Sequence, residues 1–476
     1  MPDPKRWVAL AVVLVGVFLP SFDFFVVNVA LPSLEKDLGA RPSELELVIA
    51  AYGLAFAVLL VTGGRLGDLL GRKRMFMTGM AGFSIASALC GLAPSPTVLI
   101  AARVLQGLTG AIMSPQVLAI IRTTFPESER ARAFGFFTTA IGFASILAQV
   151  IGGALIQADI AGLGWRPIFL VNVPIGCVAL VVAQRVLLES RSDQRQTIDL
   201  GGMALGTAAL VCLVFPLVEG RQAGWPAWAF WMLGAAAPVL AAFVLFEFWM
   251  QLRGRTPLVN LRLFRDPTFS LGLVMTLTFF GGLSAFFLGI TVFLQDGFGF
   301  TPLATGLVFV GFGAGFMMGS IVSARVARVL GPRTICLGTG VMCAGLLTIV
   351  ALAMTAHGQP LNRWVLTALL VWYGLGQGLA MPTLVASVVG SSRIPSRDAG
   401  AASGVFAMVQ QVAYAVGVAV VVGVFFDRLG NATDPGAYEA ALALALGVNA
   451  ALMATTGVLA LFLPRQMTVP SMVHFD

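Results

Sequence analysis

The sequence has few of the groups that do chemistry in water. Only 11% of its 476 residues are charged, three are lysines (Lys5, Lys36, Lys73), and only two, His357 and His474, are histidines. No lysine stands in a GxxxxGK[ST] motif, which excludes a P-loop ATPase. Without an imidazole cluster, a metalloenzyme or a histidine-based hydrolase has nothing to work with. The five cysteines (Cys90, Cys177, Cys212, Cys336, Cys343) form no CxxC pair and no metal or disulfide spacing. They read as small packing residues.

Apolar residues take the place of charge. The chain is 58% hydrophobic, and its mean hydropathy of +0.92 lies well outside the range of soluble domains. Its 54 glycines and 24 prolines would break soluble helices but are tolerated in membrane helices. The first apolar run is too long for a cleavable signal and has no small-residue cleavage site. Runs of about 20 residues, enough to cross roughly 30 Å of hydrocarbon, fall near 7–31, 45–63, 75–93, 97–121, 134–157, 165–184, 198–218, 225–250, 268–294, 302–324, 334–355, 364–388, 400–426 and 438–463. The expected fold is an all-α membrane protein with fourteen transmembrane helices.

Of the 29 basic residues, 22 fall in the segments that are cytoplasmic if the N-terminus is inside. Six fall outside, and Arg103 lies within a span. Positive loops stay cytoplasmic, so both termini are expected inside. The same bias explains the net charge of +7 without a nucleic-acid partner. The loops are too short for a soluble catalytic domain, so no enzyme activity and no cofactor are expected. Any uphill work must draw on an ion gradient or on another protein.

Two loops resemble each other: GGRLGDLLGRKRM (63–75) after the second span and SARVARVLGPRT (323–334) after the tenth. Their alignment sets Arg65 on Arg325, Gly71 on Gly331 and Asp68 on Arg328. The fourth and twelfth spans share Gln-Gly, and there Arg103 meets Gly374. Weak internal symmetry of this kind marks secondary transporters built from two related bundles. The sequence as a whole resembles the major facilitator superfamily, specifically its fourteen-span drug:proton antiporter branch. The likeness is carried by FDFFVVNVALPSL in the first span, GGRLGDLLGRKRM in the gating loop, RVLQGLTGAIMSPQ in the fourth span and WRPIFLVNVPIG at the start of the sixth. IDLGGMAL and RTPLVNLRLF frame two additional central spans. The resemblance implies two pseudo-symmetric six-helix bundles, 1–190 and 263–476, separated by two inserted helices and a cytoplasmic linker at 191–262. Two positions depart from the branch. Phe25 stands where a threonine is usual, and Ala148-Gln149 replaces a Gly-Pro in the fifth span, which leaves open the direction of transport.

Asp23 lies in the apolar run VGVFLPSFDFFVVNVALP, about 12 Å below the outer end of its span at 1.5 Å per residue, and Arg103 about 9 Å below the outer end of its own. A charge at bilayer depth costs about 2.5–3.5 kcal/mol on insertion scales, so both should face the bundle interior or a watery cavity. Removal from water favours a neutral acid and a nearby guanidinium favours the carboxylate. With the two opposed, small changes in hydration between inward- and outward-open states would load or release a proton. Asp23 is thus the candidate proton acceptor, with Arg103 modulating it. The structural alternatives are a mere helix-to-helix pair for Asp23 and satisfaction by backbone carbonyls for Arg103. The gating-loop candidates are Gly64, Arg65, Asp68, Gly71, Arg72 and Lys73. The resemblance implies that Arg65, Asp68 and Arg72 latch the cytoplasmic side, against the plainer reading of a topology signal.

Candidates for the substrate cavity are Asn28, Tyr52, Gln106, Gln116, Gln149, Asn172, Tyr373, Gln377, Gln410, Gln411 and Tyr414, each set against a role as helix-to-helix glue. Gly311, Gly315 and Gly319 recur every four residues and read as a close helix contact. The functional expectation is a proton-coupled antiporter that exports lipophilic small molecules, cationic compounds and antibiotics among them, by alternating access. The alternatives are a dedicated exporter or importer of a metabolite, lipid or peptide and, from another class, a channel or membrane enzyme. The partners are its small-molecule substrate, protons and the bilayer, and the chain is expected to act as a monomer. The excess of arginine over lysine, with abundant alanine and glycine, points to a GC-rich bacterial gene and a home in the cytoplasmic (inner) membrane.

Overall fold

The structure is a computed structural model that describes residues 5–191, 199–255, 257–355, 362–389, 399–430, 432 and 434–464. His357 and His474 fall outside them. The described residues form helices and no strand. Fourteen long helices follow one another: α1 (Arg6–Leu38), α2 (Pro42–Leu70), α3 (Arg72–Gly91), α4 (Pro96–Thr124), α5 (Glu127–Ala158), α6 (Pro167–Val186), α7 (Leu200–Gln222), α8 (Ala227–Leu252), α9 (Pro267–Val292), α10 (Pro302–Leu330), α11 (Arg333–Thr355), α12 (Arg363–Val389), α13 (from Ala399 to Leu429) and α14 (Pro435–Ala460). Thirteen are long and apolar enough to cross a membrane, and α3 is the exception. Its glycines, serines and basic first turn dilute its hydropathy, although it packs among the other helices like the rest.

The helix starts are written locally. Ser95, Asp266, Thr301 and Asp434 each precede a proline at the first helical position, and each side chain accepts an amide of the first turn, at 3.4, 3.0, 3.2 and 3.0 Å. Two helices contain a π turn, Phe293–Gly297 closing α9 and Val418–Val422 inside α13.

Packing divides the helices by their partners. Helices α1–α6 pack mainly on one another, led by α2 on α4, α3 on α4 and α1 on α5, while α9–α14 do the same, led by α10 on α12. Between the two sets, α5 lies along α10 and α2 along α13. Glycine makes the closest crossings. A Cβ on Gly63 would stand 2.2 Å from the Ala111 carbonyl. One on Gly311, Gly315 or Gly319 would stand 2.3, 1.9 or 2.3 Å from the carbonyls of Thr367, Val371 or Leu375. The four-residue glycine spacing of α10 is therefore a backbone-to-backbone contact with α12. Helices α7 and α8 pair with each other, and α7 lies along the seam where α2 meets α13. There Ala50, Val214, Val218, Ala415 and Ala419 form a small apolar cluster apart from the main core.

Candidate functional site

Five helices place polar side chains around one carboxylate. Pro20 in α1 cannot donate a helical amide bond, and its own carbonyl accepts the Tyr52 hydroxyl of α2 at 3.3 Å. One turn later Asp23 is fully buried. It is ion-paired with Nη1 of Arg103 from α4. Its Oδ1 accepts Gln106 Nε2 of α4 at 2.8 Å and Asn172 Nδ2 of α6 at 3.4 Å. Ser87 Oγ of α3 accepts the same two amides, at 2.8 and 3.4 Å.

Arg103 is also fully buried. Its Nε donates to the Val48 carbonyl (2.9 Å), Nη1 also donates to Gln106 Oε1 (2.7 Å), and Nη2 has no protein acceptor. The guanidinium lies over the Tyr52 ring, 4.3 Å from its centroid, and 5.8 Å from that of Phe169. Removing two ions from water costs several kcal/mol each, recovered only when geometry and further hydrogen bonds are good. The carboxylate here has three donors, and the guanidinium has one carboxylate, one amide, one carbonyl and an aromatic face.

Tyr52, Gln106 and Asn172 thus join Asp23 and Arg103 in one network, and the other polar candidates lie elsewhere. Gln116 bonds the Gly63 carbonyl at 2.7 Å and joins α4 to α2. Asn28 bonds carbonyls of its own helix, at Phe24 and Phe25, and Gln149 of α5 bonds the Phe25 carbonyl at 3.2 Å. In the second half, Tyr373 stacks on Phe286 at 4.1 Å, Gln377 is buried, and Gln410 and Gln411 are half-buried. Tyr414 packs against Phe24 at 4.8 Å and Phe280 at 5.6 Å. Phe25, at the usual threonine position, meets Phe287 of α9 at 5.4 Å, so aromatic rings join the two halves just beyond Asp23. The halves also meet at the far end of α1, where Gln295 Nε2 donates to the Val29 carbonyl (3.0 Å) and Lys36 pairs with Asp296 (3.1 Å).

In the gating loop, Asp68 and Arg72 pair at 2.8 Å, one helical turn apart. Arg65 lies away from them and donates to the Pro257 carbonyl. Glu189, beyond α6, accepts the amides of Lys73 (3.1 Å) and Arg74 (3.2 Å), a carboxylate at the amide-bearing start of α3. Lys73 Nζ reaches the Gln184 carbonyl at 2.8 Å. Gly71 has φ +115°, and a Cβ there would lie 2.5 Å from the Glu189 carboxyl, so any other residue would be strained and would displace that carboxyl. Gly64 makes only an ordinary contact, 3.6 Å to Pro115.

Sequence reasoning missed Ser87, the Val48 carbonyl and Glu189. Ser87 is one of two serines in α3, and backbone acceptors have no sequence signal. Glu189 had one, an acid just past a span between Arg185 and Arg191.

The fold agrees with comparison to known proteins. The family model described as Major Facilitator Superfamily matches residues 13–418. The chain belongs to the Major Facilitator Superfamily. It is therefore a multi-pass membrane transporter rather than an enzyme. It is 41% identical over 449 residues to a probable actinorhodin transporter of Streptomyces coelicolor, covering 93% of this chain and 77% of that one. A puromycin resistance protein of Streptomyces alboniger is 35% identical over 466 residues, covering 94% and 90%. Among solved structures, a D-xylose–proton symporter superposes with TM-score 0.66 at 14% identity, covering 97% of this chain and 98% of that one, a likeness of fold alone.

Proposed function

We propose that this Major Facilitator Superfamily member is a proton-coupled antiporter that expels lipophilic small molecules, antibiotics and cationic compounds among them, across a bacterial cytoplasmic membrane. The observation that carries the reading is the buried Asp23–Arg103 pair, a carboxylate with alternative donors from α4 and α6, one turn after Pro20 of α1. A proton arriving at Asp23 neutralises it and loosens its hold on Arg103, whose remaining positive charge keeps hydrogen bonds to Gln106 and the Val48 carbonyl as the pair opens. The two halves, 1–190 and 263–476, rock about the α5–α10 and α2–α13 contacts, with 191–262 supplying an inserted pair. Both termini face the cytoplasm, and the fourteen helices make fourteen crossings. Asp68 and Arg72 steady the cytoplasmic loop, and the aromatic rings around Phe25, Tyr373 and Tyr414 receive the cargo.

Export is favoured because the relatives named above are an antibiotic transporter and a resistance protein. Import of a metabolite, lipid or peptide is the second reading. Its support is Gln149 at the altered fifth-span motif, bonded to α1 where the branch usually bends. Purified protein in liposomes under an imposed pH gradient, with a panel of lipophilic antibiotics, decides between them. Outward-directed counterflow that needs Asp23 is expected, while flux independent of the gradient or of Asp23 overturns the coupling.

A further inference from the structure

Glu247 is a second acid in an apolar run, VLFEFWM of α8, and it is fully buried. Its Oε2 accepts the Val259 amide at 2.9 Å, whereas its Oε1 has no donor in reach. Asp199, just before α7, accepts the amides of Gly202 (2.7 Å) and Leu258 (3.0 Å). The two carboxylates crowd the same point: a Cβ on Gly202 would lie 2.2 Å from Glu247 Oε1 and 2.5 Å from Asp199 Oδ2. Among the described residues, the charged group that faces them is Arg65 of α2, which donates to the Pro257 carbonyl of the same segment. Two carboxylates and one guanidinium leave an uncompensated negative charge away from water unless one carboxyl keeps its proton. With a single proton held between them, the orphaned Oε1 gains its partner and the three groups become neutral.

The inserted helices are fastened on one side only. At the other end of α7, Ser43 of α2 donates to Glu219 at 2.9 Å. Thus α7 is tied to α2 at Glu219 and, through the 257–258 backbone, near Asp199, while among the described residues it meets α13 through the apolar cluster around Val214, Val218, Ala415 and Ala419. Apolar surfaces slide at little cost, whereas bonded ends do not.

We propose that Asp199 and Glu247 form a proton-sharing pair that clips α7, α8 and the 257–259 segment to Arg65, making the inserted helices a proton-sensitive brake on the gating loop. The inference rests on the gating role of the α2–α3 loop and is independent of Asp23. While the proton is held, α7 travels with α2 and slides along α13. Its loss sets two negative charges against each other, draws Arg65 toward them and tightens the clip.

The test uses the full chain in lipid nanodiscs. Infrared spectra of Asp23→Asn protein at pH 7, minus those of the same protein with Glu247→Gln added, should show a protonated-carboxyl band. Absence of that band overturns the pair. If Glu247→Gln fails to fold, Asp199→Asn in the same background makes the same subtraction. A thermal-stability cycle over Arg65→Gln, Glu247→Gln and the double variant tests the clip. Losses that overlap are expected, and losses that add fully overturn it. Neither readout needs a transported substrate, so a failure here is distinguishable from failure of the antiport reading.

Discussion

At the repeat position where α4 holds Arg103, α12 holds Gly374, and their surroundings differ to match. Arg103 lies over the ring of Tyr52, whereas a Cβ on Gly374 would stand 2.1 Å from the carbonyl of Phe312, which aligns with Tyr52 in the repeat. The first half opens space between α2 and α4 for a guanidinium and its carboxylate. The second half closes that space backbone on backbone and lines its neighbourhood with Phe286, Phe287, Phe312 and Tyr373. One scaffold has thus been divided into an ionic half and an aromatic half. In the proposed antiport, the proton and cargo sites would be separate yet joined through α1, whose Asp23 pairs with Arg103 and whose Phe24 and Phe25 face the rings.

The sharpest way to break this division is Asp23→Asn. Gradient-driven counterflow in liposomes is expected to fall to the level of empty vesicles while the protein stays folded. Next in size is Arg103→Ala, which leaves a buried carboxylate without its cation. It should cost about 3–5 kcal/mol of stability in a denaturant or thermal assay, with part recovered when Asp23→Asn is added. On the other side of the comparison, Gly315→Leu forces α10 off α12 and should cost about 1–3 kcal/mol in the same assay. Asp68→Asn removes a part-exposed pair one turn apart and should change stability by only about 0.3–0.5 kcal/mol, so a large loss of transport in that variant would reveal its gating role. The smallest effect concerns Glu129, whose bond to Arg6 holds its carboxyl below the ordinary value of 4.5. Its contribution is present above that value and is lost as pH falls through the lowered one. Glu129→Gln should therefore flatten only the acid end of a stability–pH curve.

Much of this was legible beforehand because membrane burial is harsh on charge. Every helix lies within a few residues of an apolar run, and Asp23 and Arg103 stood out as charges where none belong. The helices overshoot the runs, as at Leu38 and Leu330, because helix continues into the interface after the apolar stretch ends. Hidden from the sequence was whatever depends on rotation about a helix axis. Gln116 and Gln106 sit on one helix, yet one ties α4 to α2 and the other serves Asp23. Glu247 carries the same signal as Asp23, an acid in an apolar run, but on an inserted helix that matches nothing in the repeat. Arg65 belongs by spacing to the Asp68–Arg72 group, yet it also donates to the Pro257 carbonyl, 192 residues away, a bond with no sequence signal.

The π turn that closes α9 shows what a single surplus residue achieves. In a regular helix, adjoining side chains point about 100° apart, yet Gln295 and Asp296 both reach α1, at Val29 and at Lys36 seven residues further on. The widened coil lets two neighbours grip one face of the opposing rod like thumb and forefinger. Excising one residue there would restore an ordinary winding and swing one of the two digits away, so this rim owes its fastening to an irregularity of backbone winding.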